Sequence, residues 1–339
     1  MVKLMTMTMT EIYWKNRKKQ LLRETMKKEN QSLKRIQQAL RDELKSLNIA
    51  IGKYYSKYGA DKVFQYERLL ERMSDVERQE LYEKTKQFMN KHPNSAFLTD
   101  VRNSYYKLQR LDGLKANILI HIAEAAAIQE ELLPATLAEV FDNGYKKTLY
   151  NEAMFYGVET FHAGYDIGIL KQSLNSEWVQ GGNFSKRIWK NNKTLIDVMQ
   201  NDFVMWVARG DSVDKITSRL ANKFDVAYRQ SERLVRTESA FMVEQGTLTA
   251  YEENGTEEYK FLAILDNVTS KICRSLDDKV FKIINAVVGV NYPPMHPHCR
   301  STTISAKSKI KVRTSRLEKG YQEVPYMSYP KWEKEYLAA

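Results

Sequence analysis

Between Thr10 and Ile51 the chain runs for forty-odd residues without a proline or a glycine. Nothing in that stretch stops a helix. Leu22, Met26, Leu33, Ile36, Leu40, Leu44, Leu47 and Ile51 recur at spacings of three, four and seven, which predicts one long helix with a single apolar stripe. At 1.5 Å per residue such a helix extends about 60 Å. A stripe of this kind cannot bury itself, so it packs on another helix of the chain or on a neighbouring molecule.

More helices follow in the same register. Asp75 to Met89 reads as a second helix, closed by His92-Pro93-Asn94, and a third runs from Ser95 to Leu133, where Pro134 is expected to break it. Asp112-Gly113 is a point where that helix kinks or splits. A further helical stretch covers Ala135 to Gly164. Gln180-Gly181-Gly182-Asn183 is the first clear linker, and we place a domain boundary there. Beyond it, Ser185 to Trp189, Thr194 to Ala208, Ser212 to Phe224 and Val226 to Glu253 read as helices. The last is closed by Asn254-Gly255 in the left-handed manner.

After Gly255 the period changes. Tyr259 to Leu265, Lys279 to Lys282 and Ser301 to Ser305 are short and β-prone, bounded by turn residues. The expected class is therefore α+β: long helices dominate the N-terminal half, and helices with a small antiparallel sheet form the C-terminal domain. The expected domains are residues 1–180, residues 183–306, and a basic tail at 307–339, with Lys319 to Ala339 read as a docking segment.

The formal charge of +11 lies at the two ends. Residues 1–50 hold 12 Lys/Arg against 5 Asp/Glu, and residues 300–339 hold 9 against 4, so the body between them is close to neutral. Basic ends on a neutral body suit work beside a polyanion, nucleic acid first and an acidic protein surface second. Lys15, Arg17, Lys18, Lys19, Lys307, Lys309, Lys311 and Arg313 are the candidate contacts. No stretch approaches the ~18 apolar residues of a membrane span, and the start carries no secretory core. Synthesis in a reducing cytoplasm and no membrane partner are the expectations.

Both cysteines, Cys273 and Cys299, fall in the sheet region with His296 and His298. Thiolate and imidazole suit zinc, and Cys273, His296 and Cys299 with an oxygen from Asp266 or Asp277 would make a ligand set. The spacing matches no standard finger, however. Two buried reduced cysteines beside a proline-stiffened loop remain the other reading, and a disulfide is disfavoured in a reducing compartment. On the helix Val226 to Glu253, Glu238 falls in the apolar seam of Leu234, Phe241 and Leu248. Its carboxylate must then be buried and matched, and Arg300 is the expected partner. A structural ion pair is one account of Glu238; acid–base duty or metal ligation is the other. The chain lacks the motifs of phosphate loops, hydrolase elbows, zinc proteases and dinucleotide folds, which disfavours an ordinary metabolic enzyme with a small-molecule substrate.

Arg236-Thr237-Glu238, Tyr259 to Asp266, Thr269-Ser270 with Cys273, Leu276-Asp277 and Phe281, and then Pro293-Pro294-Met295-His296-Pro297-His298-Cys299-Arg300-Ser301 occur in order. This array resembles the bacteriophage minor head protein family, the Mu F-like head-morphogenesis family, between Asn183 and Ser305. Tyr13-Trp14-Lys15 and the first helices are similar to the head domains of such proteins from phages or prophages of Gram-positive bacteria. The family's recurrent positions fall on Asp266, Cys273, Asp277, Pro294, His296, Pro297, Cys299 and Arg300, with Arg236 and Glu238 on the preceding helix. Many members have Gly where this chain has Asp278, and some have Cys where it has Ser301. His298 lies outside the family pattern.

The resemblance implies a minor capsid protein of a tailed phage, acting in procapsid assembly without catalysis. Its implied place is the virion head interior, after assembly in the host cytoplasm. The implied partners are the portal protein, the major capsid or scaffolding protein, and packaged double-stranded DNA. The competing expectation is a metal-dependent nuclease or hydrolase built on the Cys/His cluster, with Glu238 as base. A pure coiled-coil scaffold working through the first helix is the third.

Overall fold

A computed structural model describes residues 9–92, 108–156, 164–179, 182–306, 312–317 and 320–336; side chains are described for most of these, though not for 9–19, 155–156, 194, 198–200 or much of 312–323. The helices are α1 (Met9–Tyr58), α2 (Tyr66–Leu70), α3 (Asp75–Lys91), α4 (Arg110–Tyr156), α5 (Ile167–Leu174), α6 (Phe184–Ala208), α7 (Val213–Glu253), α8 (Lys271–Leu276) and α9 (Tyr329–Tyr336). The strands are β1 (Gly59–Ala60), β2 (Val63–Phe64), β3 (Glu258–Leu262), β4 (Val280–Lys282), β5 (Thr302–Ser305), β6 (Val312–Leu317) and β7 (Gly320–Pro325). The α+β class with mostly helical content holds. Among the described residues no helix is long and apolar enough to cross a membrane.

The chain packs as two compact units that cut across sequence order. One comprises Ser32–Leu133 and Ser185–Glu232 and, among the described residues, is mainly helical with the β1–β2 hairpin. Leu33, Ile36, Leu40, Leu47 and Ile51 of α1 are buried in it, as the stripe predicts, along with Leu114, Ile118 and Ile122 of α4 and Phe203 and Val207 of α6. Polar ties lie among these apolar layers: Ser231 Oγ donates to Gln129 Oε1 at 2.6 Å, and Trp189 Nε1 to Glu130 Oε2 at 2.7 Å. At the start of α7, Ser212 Oγ accepts the Lys215 N–H as a cap. Asp211 beside it collects Arg209, Lys215 and Arg219.

The other unit comprises Met1–Gln31, Pro134–Phe184 and Arg233–Ala339. Its sheet has the order β4-β3-β5, antiparallel throughout, with Tyr259 opposite Phe281 on one side and Ser305 on the other. Tyr259 and Phe261 are buried and Glu258 is exposed, the two-residue period of a half-covered strand. Gly255, at φ 63, ends α7 as Asn254-Gly255 predicts. Two glycines set how closely α4 and α7 approach in this unit. A Cβ on Gly246 would collide with the Phe141 carbonyl oxygen and lie 2.9 Å from Tyr145 N, and one on Gly144 would collide with the Val243 carbonyl.

Four expectations are corrected. Pro134 lies inside α4 rather than ending it; Leu133, Leu137, Val140 and Phe141 on either side are buried, and that burial offsets the ~3 kcal/mol cost of an internal proline. The pieces on either side of 190 and of 225 are single helices, α6 and α7, because neither junction holds a helix breaker. Leu22 and Met26 are exposed, and α1 instead buries Leu21, Thr25, Glu29 and Ser32 there; a stripe that turns polar is invisible to hydropathy. Lastly, the region read as a tail forms the β6–β7 hairpin and α9, with Trp332 fully buried beside Leu265, Val324 and Tyr329.

We predict that Gly246→Ala lowers the unfolding free energy by about 1–3 kcal/mol, the usual cost of forcing extra volume into a packed contact. Urea denaturation checks it, and a variant as stable as the parent would show that α4 and α7 are not held this close.

Candidate metal centre and its supports

Each thiol is placed by a short local structure. Ser270 caps α8, its Oγ accepting the Cys273 N–H at 3.2 Å, which puts Cys273 in the first turn. His296 and Cys299 sit on a turn closed by Cys299 N donating to the His296 carbonyl at 3.0 Å. That turn follows a proline pair, Pro293-Pro294, joined by a cis bond. Cys273 Sγ lies 3.7 Å from Cys299 Sγ and 3.5 Å from His296 Nε2, and all three ligand atoms lie within 4.8 Å of one another. Both thiols are free and buried. Phe261, Ala263 and Met295 form an apolar wall with them.

The two sulfurs are in hydrogen-bond contact. The hydrogen bond from Cys273 holds the Cys299 thiol below its ordinary value, against burial and with help from hydrogen bonds at Met295 and Ser301. The same contact and burial push Cys273 up. His296 Nδ1 lies 2.9 Å from the Pro297 carbonyl, which only an N–H can satisfy, so the lone pair is on Nε2. Nε2 accepts from the Ser270 hydroxyl at 2.9 Å.

Asp266, the fourth ligand considered, is outside this trio. It is fully buried; its Oδ2 meets Arg300 Nη1 at 2.7 Å and its Oδ1 accepts from Thr269 at 2.8 Å. Burial alone would raise its pKa, but Arg300 and Thr269 hold it below the usual carboxylate value. His298 is also outside the trio. It is exposed at φ 61 and its N–H donates to Thr237 Oγ1. Pro294 is buried and Pro297 half-buried in the same loop.

Asp277 is a hub. Its carboxylate takes both guanidinium nitrogens of Arg313 at 2.6 Å, the Ala263 N–H at 2.8 Å and the Tyr329 N–H at 2.7 Å. Arg313 also donates to the carbonyls of Met327 and Ala263. It is buried, which corrects its place among the nucleic-acid contacts: its charge is spent inside the fold. Asp278 after it has φ 66, in the left-handed region that glycine adopts most readily. Lys260 at 3.1 Å and the Tyr326 hydroxyl engage its carboxylate.

Glu238 is buried as its position predicts. Trp178 Nε1 donates to it at 3.2 Å, and the Trp178 ring stacks on Phe241 with centroids 5.0 Å apart. Arg300, the partner expected for it, pairs with Asp266. Arg236 of α7 reaches Glu29 of α1 at 2.9 Å. Sequence reasoning missed Trp178 and Glu244, whose buried carboxylate accepts from Thr302 and Thr303 of β5. A glutamate mid-helix carries no local sign of such a partner. Lys15, Arg17, Lys18 and Lys19 lie on α1 with side chains outside the described residues, as are Lys307, Lys309 and Lys311.

An α+β unit in which a long helix backs a three-stranded sheet and a Cys/His/Cys corner is the class this geometry defines. Residues 197–304 match the family model described as phage Mu protein F like protein, so that segment is similar to the Mu F-like proteins. An NAD(+)–arginine ADP-ribosyltransferase, EFV, of Enterococcus faecalis is 22% identical over 204 residues, 53% of this chain and 42% of that protein. The chain thus spans less than half the length of that relative. No solved structure matches it.

The buried carboxylates can be tested by substitution and by pH. Arg313→Met leaves Asp277 buried without its cation, and loss of about 3–5 kcal/mol is expected, read as a lowered denaturation midpoint. The Arg313→Met/Asp277→Leu double variant should recover part of it, because the stranded charge is gone. Burial pushes Glu29 up to about 7 from 4.5, against the pull of Arg236. The folded chain therefore holds that proton more tightly than the unfolded one, and its contribution is full below about 4.5 and is lost as the pH rises through 7. Relative to Glu29→Gln, the parent should lose up to about 3 kcal/mol between pH 4 and pH 8.5; parallel pH–stability curves for the two proteins would refute this.

Proposed function

We propose that this chain is a minor capsid component of a tailed phage, acting inside the head during procapsid assembly and contacting the portal protein, the major capsid or scaffolding protein, and packaged double-stranded DNA. The observation that carries it is the Mu F-like match over residues 197–304. It covers α7, the sheet and the Cys/His loop, which are the elements that build the core of their unit. The basic ends support the DNA contact, with Lys15, Arg17, Lys18, Lys19, Lys307, Lys309 and Lys311 as the contacting set once Arg313 is assigned to Asp277. Uneven charge of this kind steers a chain to phosphates without reading sequence.

Quantitative mass spectrometry of purified heads tests the assembly role. A few copies per head beside the major capsid and portal proteins, before and after DNA filling, is the expected result, and absence from every particle would overturn it. For the DNA interaction, changing Lys15, Arg17, Lys18 and Lys19 to Gln should make the plot of log K against log salt shallower by roughly one per phosphate that the variant no longer neutralises. The competing enzyme readings are settled in the same preparations: neither chelator-sensitive cleavage of DNA nor transfer from NAD+ to arginine is expected.

A further inference from the structure

We propose that Cys273, His296 and Cys299 bind one Zn2+ ion, which clamps α8 to the 296–299 turn. The proposal is independent of the assembly role. Tetrahedral zinc, with Zn–S near 2.3 Å and Zn–N near 2.0–2.1 Å, sets two sulfur ligands about 3.8 Å apart and a sulfur and a nitrogen about 3.5 Å apart. The observed separations are 3.7 Å between the sulfurs and 3.5 Å between Cys273 Sγ and His296 Nε2; the third pair, Cys299 Sγ and His296 Nε2, lies within 4.8 Å and closes on the ion when it binds. Two thiols in van der Waals contact would account for the first distance alone. They would not bring an imidazole lone pair to the same corner.

The tautomer is set from outside the trio. Nδ1–H donates to the Pro297 carbonyl at 2.9 Å, the second contact that metal-binding histidines make as a rule. Nε2 is left as the ligand atom. The Ser270 hydroxyl that now donates to it must turn away, and it keeps its role as the α8 cap. Both sulfurs bind as thiolates and their protons leave to solvent. Among the described residues no fourth Cys, His, Asp or Glu joins the trio, and Asp266 is held by Arg300. A solvent molecule takes the fourth position.

Soft thiolates with imidazole select zinc over magnesium or calcium. The role follows from the lengths involved. A six-residue helix such as α8 cannot hold itself in water, and a metal bridging its first turn to a turn 23 residues away supplies what the local hydrogen bonds do not.

Full-length protein purified under reducing conditions without chelator tests this by elemental analysis. About one zinc per chain is expected, and anaerobic exchange to Co2+ should give a thiolate-to-cobalt charge-transfer band together with tetrahedral ligand-field bands. His296→Asn and Cys299→Ser should each lower zinc affinity by at least about tenfold in a chelator competition, whereas the exposed His298→Asn should retain the metal. The parent protein alone decides the matter if the ligand variants fail to fold. A parent that carries no zinc and gives no cobalt–thiolate band after reconstitution overturns the site, and so does a His298→Asn variant that loses the metal as completely as His296→Asn.

Discussion

The C-terminal part of the molecule depends on one buried ion pair. Asp277 follows α8 directly, and its two oxygens join Arg313 of β6, the backbone after β3 at Ala263, and the first residue of α9 at Tyr329. A carboxylate taken out of water costs several kcal/mol unless its lone pairs are filled. Here four donors fill them, two charged and two from the backbone. The guanidinium is matched in turn by carbonyls at Ala263 and Met327. The β6–β7 hairpin and α9 are thereby tied to the backbone after β3, and Trp332 packs in one buried cluster with Leu265 and Val324.

Arg313 shows where reading the sequence stops. In a segment rich in lysine its side chain is indistinguishable from neighbours that face water, and its partner lies 36 residues earlier. Long-range pairing leaves no periodic mark. The strands β3, β4 and β5, by contrast, were legible because they are short β-prone runs between turn residues, and Gly255 because only a left-handed stop fits there. Glu238 was legible as buried from the seven-residue advance of Leu234 and Phe241. The Trp178 indole that donates to it was not, since it comes from a segment with no helical or strand period. The trio of Cys273, His296 and Cys299 was visible as composition alone; the distances needed the fold, and the same fold withdrew Asp266 and His298.

The helical errors share a cause. A breaker such as Pro134 acts through a local cost of ~3 kcal/mol, and the burial of Leu133, Leu137, Val140 and Phe141 is worth more than that at about 25 cal/mol per Å2. The reverse holds on α1. Thr25, Glu29 and Ser32 are buried where a stripe search looks for leucine, and Leu22 and Met26 are left exposed. Arg236 offsets part of the burial of Glu29, and burial still holds that carboxyl up at about 7. Close approach of α4 and α7 at Gly144 and Gly246 is of the same kind: the glycines are helix-weakening by propensity and are retained because a backbone fills the space where a Cβ would be.

Charge separates the two ends from the folded body once these internal pairs are removed. Arg236, Arg300 and Arg313 each meet a buried carboxylate, at Glu29, Asp266 and Asp277, so three of the cations in and around the Mu F-like segment serve the fold. The α8 helix sits between two such supports: Asp277 anchors its C-terminal end through backbone N–H groups and Arg313, and Cys273 anchors its first turn to the His296–Cys299 turn. The Cys/His corner and the Asp277 hub therefore act on the same element from opposite ends.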